Sequence, residues 1–226
     1  AVDLEDYDIR TELTAASHSG IIRCTYPEND QSRIQIDLAR RIGGTSIEQY
    51  IKVEDETTIS GWMKCTPEGG GWGNGQGKAD YTVYFYCQFS KPLKDYGIWS
   101  ASIPEGQIRK REETTSEAYQ KLISEAQIHP MKNEMQGKHL GFFSNFKTKE
   151  GEKVLLKSGI SFVSVEGAKQ NLEKEIPNWD FEIVKKNNRE LWNQALASIK
   201  VEGASEVDKT ILYTSLYHTM IDPRDF

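Results

Sequence analysis

Near Val165 the hydrophobic repeat of this chain changes its period, and that change constrains the fold more than any other feature. Before it, apolar side chains recur every second residue, as in strands with one buried face. After it they recur every 3.6 or so, as in helices packed along one side. The chain reads as layered β structure followed by helices.

The alternation is clearest over Tyr81–Phe89, where Val83, Phe85, Cys87 and Phe89 share one face and Thr82, Tyr84, Tyr86 and Gln88 share the other. Ile9, Thr11, Leu13 and Ala15 alternate with Arg10, Glu12 and Thr14, and Ser19-Gly20 then offers a turn before Ile22, Cys24 and Tyr26. Pro27-Glu28-Asn29-Asp30 closes that strand, and Ile34, Ile36 and Leu38 continue the pattern. Gly43-Gly44 marks a reversal, after which one long stretch from Ser46 to about Cys65 holds Tyr50, Ile51, Val53 and Ile59 among polar residues. Short strands rich in β-branched and aromatic residues, punctuated by turns, predict an antiparallel β-sandwich. Residues 103–137, with the run Arg109-Lys110-Arg111-Glu112-Glu113 and a helix-like Ser116–Ile123, read as a helical, charged surface insertion; strand character returns at 141–146 and 154–165.

Beyond the switch, Gly167–Ile176 predicts a helix stopped by Pro177, and Asp180 is placed to cap the next, with Val184, Leu191, Trp192, Ala195, Leu196 and Ile199 on one face. Ser205 is placed to cap a third helix, containing Ile211, Leu212, Leu216 and Thr219 and stopping before Asp222-Pro223.

Composition enters through what it excludes. The 28 Lys and Arg against 34 Asp and Glu leave a formal charge of −6, which argues against a general nucleic-acid binder. No run approaches the roughly 18 apolar residues of a membrane-spanning helix. Three scattered cysteines make neither a disulfide framework nor a zinc knuckle, and Cys24 and Cys87 sit in strands as small hydrophobes. The N-terminal Ala1-Val2-Asp3-Leu4 shows no signal peptide, so a leader was removed or the chain is a segment.

Motifs for local chemistry fail on spacing. In Gly69-Gly70-Gly71-Trp72-Gly73-Asn74-Gly75-Gln76-Gly77-Lys78, a phosphate loop would need Gly where Trp72 stands and a hydroxyl where Ala79 stands. The run is either a flexible loop or a ligand loop in which Trp72, helped by Trp62, stacks on a sugar face. The histidines His18, His129, His139 and His218 are isolated, with no spacing that holds zinc. Glu54-Asp55-Glu56 reads as a solvated acidic loop or as a source of calcium or acid–base carboxylates.

Val154-Leu155-Leu156-Lys157-Ser158-Gly159-Ile160-Ser161-Phe162-Val163-Ser164-Val165-Glu166-Gly167-Ala168 closely resembles a stretch of glycoside hydrolase family 92, whose members are mostly α-mannosidases. The likeness continues through Ile176-Pro177-Asn178-Trp179-Asp180-Phe181, Leu191-Trp192-Asn193 and Ile211–Thr219. Upstream, Glu12-Leu13-Thr14-Ala15-Ala16, Arg23-Cys24-Thr25-Tyr26-Pro27 and Val83–Pro92 are similar to the family's sandwich strands in the same order.

The resemblance implies a supersandwich-type β-sandwich over 1–164, a helical linker over 165–203, and, over 204–226, the first helix of an (α/α)6 barrel whose remainder lies outside this sequence. The chain is then expected to be an internal segment of a calcium-dependent, inverting exo-α-mannosidase, secreted or periplasmic, acting on mannose-containing glycans. Calcium and the catalytic carboxylates are expected in the barrel, so no catalytic or metal-binding role falls on any residue here, and the segment itself supports the barrel as its intramolecular partner. Trp62, Trp72 and His218 are the candidate substrate-binding residues; His218 either approaches the barrel lumen or is a hydrogen-bonded helix histidine at the domain junction. The alternative function is a non-catalytic carbohydrate-binding or interaction module, suggested by Trp62, Trp72 and the Tyr84/Tyr86 face.

Overall fold

Period-two alternation becomes strand where it was expected. In the computed structural model, which describes residues 1–41, 44–67, 80–101 and 124–221, the strands are β1 (Val2–Leu4), β2 (Ile9–Ala15), β3 (Ser19–Tyr26), β4 (Asn29–Asp37), β5 (Arg40–Arg41), β6 (Gly44–Thr45), β7 (Glu48–Val53), β8 (Thr58–Cys65), β9 (Tyr81–Phe89), β10 (Asp95–Ser100), β11 (Gln127–Pro130), β12 (Glu134–Gly137), β13 (Leu140–Thr148) and β14 (Glu152–Ser161). They form an eight-stranded sheet in the order β1-β2-β3-β14-β9-β8-β7-β12 and a four-stranded sheet in the order β11-β10-β13-β4, with β5 and β6 paired separately. The antiparallel sandwich is confirmed.

The core is built from the faces that alternation assigned inward. Cys24, Tyr26, Ile51, Ile59, Phe85, Cys87, Phe89, Val154 and Leu156 from the larger sheet meet Ile34, Tyr96, Ile98, Phe142 and Phe146 from the smaller. Phe89 lies against both Phe142 and Phe146 at centroid distances of 6.1 and 6.3 Å. Each such aromatic, removed from water, contributes on the order of 2–3 kcal/mol of transfer free energy. Polar side chains are buried between the sheets as well, Ser144 and Gln49 among them. Gln49, 0% exposed, donates through Nε2 to the Ser46 carbonyl and hydroxyl at 3.0 and 2.7 Å, and its Oε1 accepts from the Leu140 amide at 3.0 Å. Every contact of that amide is therefore local to β7 or reaches across to β13, and its burial costs little because it is satisfied.

Three expectations change. The long stretch from Ser46 to Cys65 is two strands, folded about Glu54-Asp55-Glu56, and those acidic residues are turn chemistry. Asp55 Oδ1 accepts from the Thr57 amide at 2.8 Å. Glu54, held below the usual carboxylate range by its bonds from Lys52 and Ser60, braces the flanking strands. The insertion expected over about 103–137 lies outside the described residues up to 123, including the helix expected at 116–123, but from Gln127 onward it is strand. β11 pairs with β10, and β12 with β7. Both are four-residue edge strands, too short and polar to show alternation. Finally, the strand expected to run to Val165 stops at Ser161, because Ser164 caps a helix by accepting from the Gly167 amide at 3.0 Å.

That helix, α1 (Val165–Glu175), is followed by α2 (Phe181–Leu196) and α3 (Glu206–Thr219). Ser205 caps α3 as expected, accepting from the Asp208 amide at 3.1 Å. The chain divides into two compact units, residues 1–181 and 182–226. In the second, Trp192 and Tyr217 meet edge to face at 4.8 Å and the Tyr213 hydroxyl donates to the Ile199 carbonyl at 3.0 Å.

Candidate functional site

Strand geometry sends Glu48, Tyr50 and Lys52 of β7, Ser60, Trp62 and Lys64 of β8, and Thr82, Tyr84 and Tyr86 of β9 to the face of the large sheet opposite the core. Register aligns them. Gln136 pairs with Tyr50, Tyr50 with Trp62, and Trp62 with Tyr84, giving one row across four adjacent strands. The Tyr50 and Trp62 rings are near-parallel, at 6.0 Å between centroids and 20° between planes. That distance is an offset arrangement, which leaves part of each ring face uncovered by the other.

The row is fixed by polar contacts at its rim. The Tyr50 hydroxyl donates to Glu134 Oε1 at 2.8 Å. Its pKa is pushed up to about 12 by burial, by that hydrogen bond and by the Glu134 and Glu54 charges, so the hydroxyl keeps its proton. Gln136 Nε2 donates to Glu48 Oε1 at 2.9 Å, and Lys52 pairs with Glu54 at 2.7 Å. Close approach underlies the row as well: a Cβ on Gly61 would stand 2.0 Å from the Tyr50 carbonyl oxygen, so the residue beside Trp62 must be glycine for β7 and β8 to keep this register.

Beside the row, α1 lies on the same face over β14 and β9. Its seat is built from cations and one glycine. A Cβ on Gly159 would come within 2.1 Å of the Ala168 carbonyl oxygen, so α1 touches backbone there. Lys157, only 5% exposed, donates to the Ile176 and Pro177 carbonyls at 3.1 and 3.4 Å and stands 4.8 Å from the Trp179 ring centroid. A cation at a helix C-terminus faces the negative end of the helix dipole, while burial lowers the Lys157 pKa. Arg23, paired with Glu12 at 2.7 Å, lies 4.1 Å over the Phe181 ring. Glu175 accepts from the His18 amide at 2.9 Å and meets its Nδ1 at 3.0 Å. Burial would raise that carboxyl, but the bonds from His18 and Ser19 outweigh it and hold it below the usual range.

Of the candidate residues, Trp62 lies in the aromatic row, and Trp72 falls outside the described residues. His218 sits exposed in the last turn of α3, 5.9 Å from the Tyr217 ring, in the second unit. Tyr84 joins Trp62 in the row, whereas Tyr86 turns to the helix side, with Lys169 5.9 Å from its ring. Tyr50, Glu134 and Gln136 were missed by sequence reasoning. For Tyr50 the signal was the hairpin turn at 54–57, which pairs it with Trp62 once the Ser46–Cys65 stretch is folded in two; nothing local marks Glu134 or Gln136. All three cysteines are buried and free; burial pushes the Cys87 thiol up to about 12, so it offers no nucleophile near neutral pH. Among the described residues, no group of three or more His, Cys, Asp or Glu side chains converges in a way that could hold a metal ion. A separate cleft of about 270 Å³ at the β1–β3 end is lined by Asp3, Glu5, Asp8, Arg10 and Glu150 among others, with Arg10 bound to Asp3 at 3.0 Å.

Residues 1–161 match the glycosyl hydrolase family 92 N-terminal domain and residues 167–226 match the family 92 catalytic domain. Among solved structures, a family GH92 alpha-mannosidase from Bacteroides thetaiotaomicron superposes with a TM-score of 0.74 at 27% identity, over 99% of this chain and 27% of that one. A GH92 inverting mannosidase from the same organism shares the fold at a TM-score of 0.73 and 20% identity, over 97% and 25%. An uncharacterized secreted glycosidase from Arthroderma benhamiae is 36% identical over 78 residues, 33% of this chain and 10% of that protein. The chain thus spans about a quarter of the solved relatives and a tenth of the curated one. The sandwich, the helix that caps at Ser164 where the two family matches adjoin, and matches in chain order over both parts lead to one assignment: the chain belongs to glycoside hydrolase family 92.

Proposed function

We propose that this chain is the sandwich and the opening helices of an exported exo-α-mannosidase that cleaves mannose-containing glycans with inversion and requires calcium. The observation that carries the reading is the likeness to a solved alpha-mannosidase at 27% identity over 99% of the chain, a relative also solved with mannoimidazole. The curated secreted glycosidase supports export. Under this reading residues 1–164 are the sandwich, 165–203 the linker, and 204–226 the first helix of an (α/α)6 barrel.

Inversion uses two carboxyl groups roughly 6.5–9.5 Å apart, one protonating the leaving oxygen and one activating a water on the opposite face. Calcium takes six to eight oxygen ligands, and the described residues hold no group of three or more His, Cys, Asp or Glu side chains that could bind a metal ion. Under this reading the calcium and the catalytic carboxylates lie in the barrel, not among these residues. Their contribution is positional: Gly159, Lys157, Glu175 with His18, and Arg23 with Phe181 fix where the helical segment leaves the sheet, and positioning of remote elements governs rates when reacting groups must meet within tenths of an ångström.

The test is release of mannose from α-linked mannosides by the full-length parent, with calcium and with chelator. Activity in calcium, lost on chelation, is expected, with none from the 226 residues alone. Mannose release by the isolated chain without calcium, or an inactive parent, would sink the reading.

A further inference from the structure

We infer that the row Tyr50–Trp62–Tyr84, with Gln136 and Glu134 at its rim, is a binding site for a short oligosaccharide, seated across the strands of the large sheet. Sugar rings carry polarised C–H groups on one face and hydroxyls around the edge. They are recognised by aromatic faces, whose negative π surface attracts C–H, together with amide and carboxylate groups that take the hydroxyls. Both halves of that chemistry are present in one line of residues.

Four features of the geometry point to such a ligand. First, the row crosses four strands, and at about 4.8 Å per strand it extends roughly 14 Å, the reach of two to three pyranose rings. Second, Tyr50 and Trp62 lie near-parallel and offset at 6.0 Å, so their faces share an orientation along that line. Third, the rings are half-buried and Tyr50 is tied by its hydroxyl to Glu134, so little side-chain freedom is lost when a ligand settles on them. Fourth, the rim charges are matched in pairs or hydrogen-bonded, Lys52 with Glu54 and Glu48 with Gln136, which favours a neutral polyol over an anion. The same face has no such row where α1 covers β14 and the Tyr86 end of β9; there the aromatic Tyr86 is engaged by Lys169.

The site stands on this geometry and does not require the parent to be a mannosidase; the link to glycans in the family only selects the first probe. The 226-residue chain would be titrated with α-linked mannotriose, cellotriose and mannose, following the tryptophan indole N–H signals by NMR and the heat by calorimetry. The trisaccharide should bind at least tenfold more tightly than mannose, and the two trisaccharides show whether the row prefers axial or equatorial linkages. Trp62→Ala should weaken binding tenfold or more, and Tyr50→Phe severalfold, since it keeps the ring and loses the anchor to Glu134. Trp62→Leu keeps an apolar body without a π face, so it serves should the alanine variant fail to fold, and it should bind as weakly. No binding of either trisaccharide at millimolar concentration, or unchanged affinity in folded Trp62→Leu, overturns the inference. Those outcomes leave the parent's activity assay untouched, so the two readings fail separately.

Discussion

The two compact units bury their apolar side chains to very different degrees. In residues 1–181 the inward residues of two sheets meet one another, with Ile51, Ile59, Ile98, Phe142 and Val154 fully buried. In residues 182–226, α3 buries no residue at all, and Val207 and Ile211 are 67% and 61% exposed. Both units carry amphipathic sequence, so pattern alone does not separate them. The difference lies in whether a partner layer is present, since helical stability in proteins comes mainly from packing an apolar face. The sandwich closes its own core; the helical unit offers faces.

Replacing one buried and one exposed apolar residue should separate the units most strongly. Phe142→Ala should cost about 3–5 kcal/mol of unfolding free energy, whereas Ile211→Ala should stay within about 0.5 kcal/mol, both read from urea titrations. Comparable losses at the two positions would erase the contrast. Next comes the seat of α1. Gly159→Val drives a side chain into the Ala168 carbonyl and should cost about 3 kcal/mol; hydrogen exchange should show α1 amides opening while the β13 amides stay protected. If α1 stayed protected, its contact with the sheet would be dispensable.

The smallest effect concerns the strap between His18 and α1. The Glu175 carboxyl is held below its ordinary value in the folded chain, so its contribution is complete above the unfolded-state value near pH 4.3 and disappears as pH falls through the lower folded-state value. Glu175→Gln should therefore be less stable than the parent sequence by about 1 kcal/mol at neutral pH, with the gap closing between about pH 5 and pH 3. A gap that persists at the acid end would mean that the glutamine disturbs packing and that charge plays no part.

Where a strand has one covered face, the sequence announces it: β9 begins and ends at the residues where alternation does, and the cap at Ser205 is visible as a serine before a helical run. β10 was silent for the opposite reason. Tyr96, Gly97 and Ile98 are buried in succession, with the Phe143 ring against Gly97, and a strand covered on both faces has no period to read. β11 and β12 were silent because edge strands are short and polar. The aromatic row was half legible. Trp62 stood out by type, but Tyr50 joins it only through the register of a hairpin whose turn is written in acidic residues, and Glu134 reaches Tyr50 from 84 positions away. Nothing local to Glu134 records that contact.

Gln49 has a further consequence for assembly of the sandwich. Its amide is satisfied only when the Leu140 backbone stands opposite it; if β13 slid by one residue against β7, a buried amide would lose its partner at a cost of about 1–3 kcal/mol. Hydrophobic contacts between two greasy layers tolerate sliding, since one aliphatic neighbour substitutes for another. A single amide does not. It works as an indexing pin between the sheets, so that misaligned collapsed forms are disfavoured during folding and one stacking register is selected.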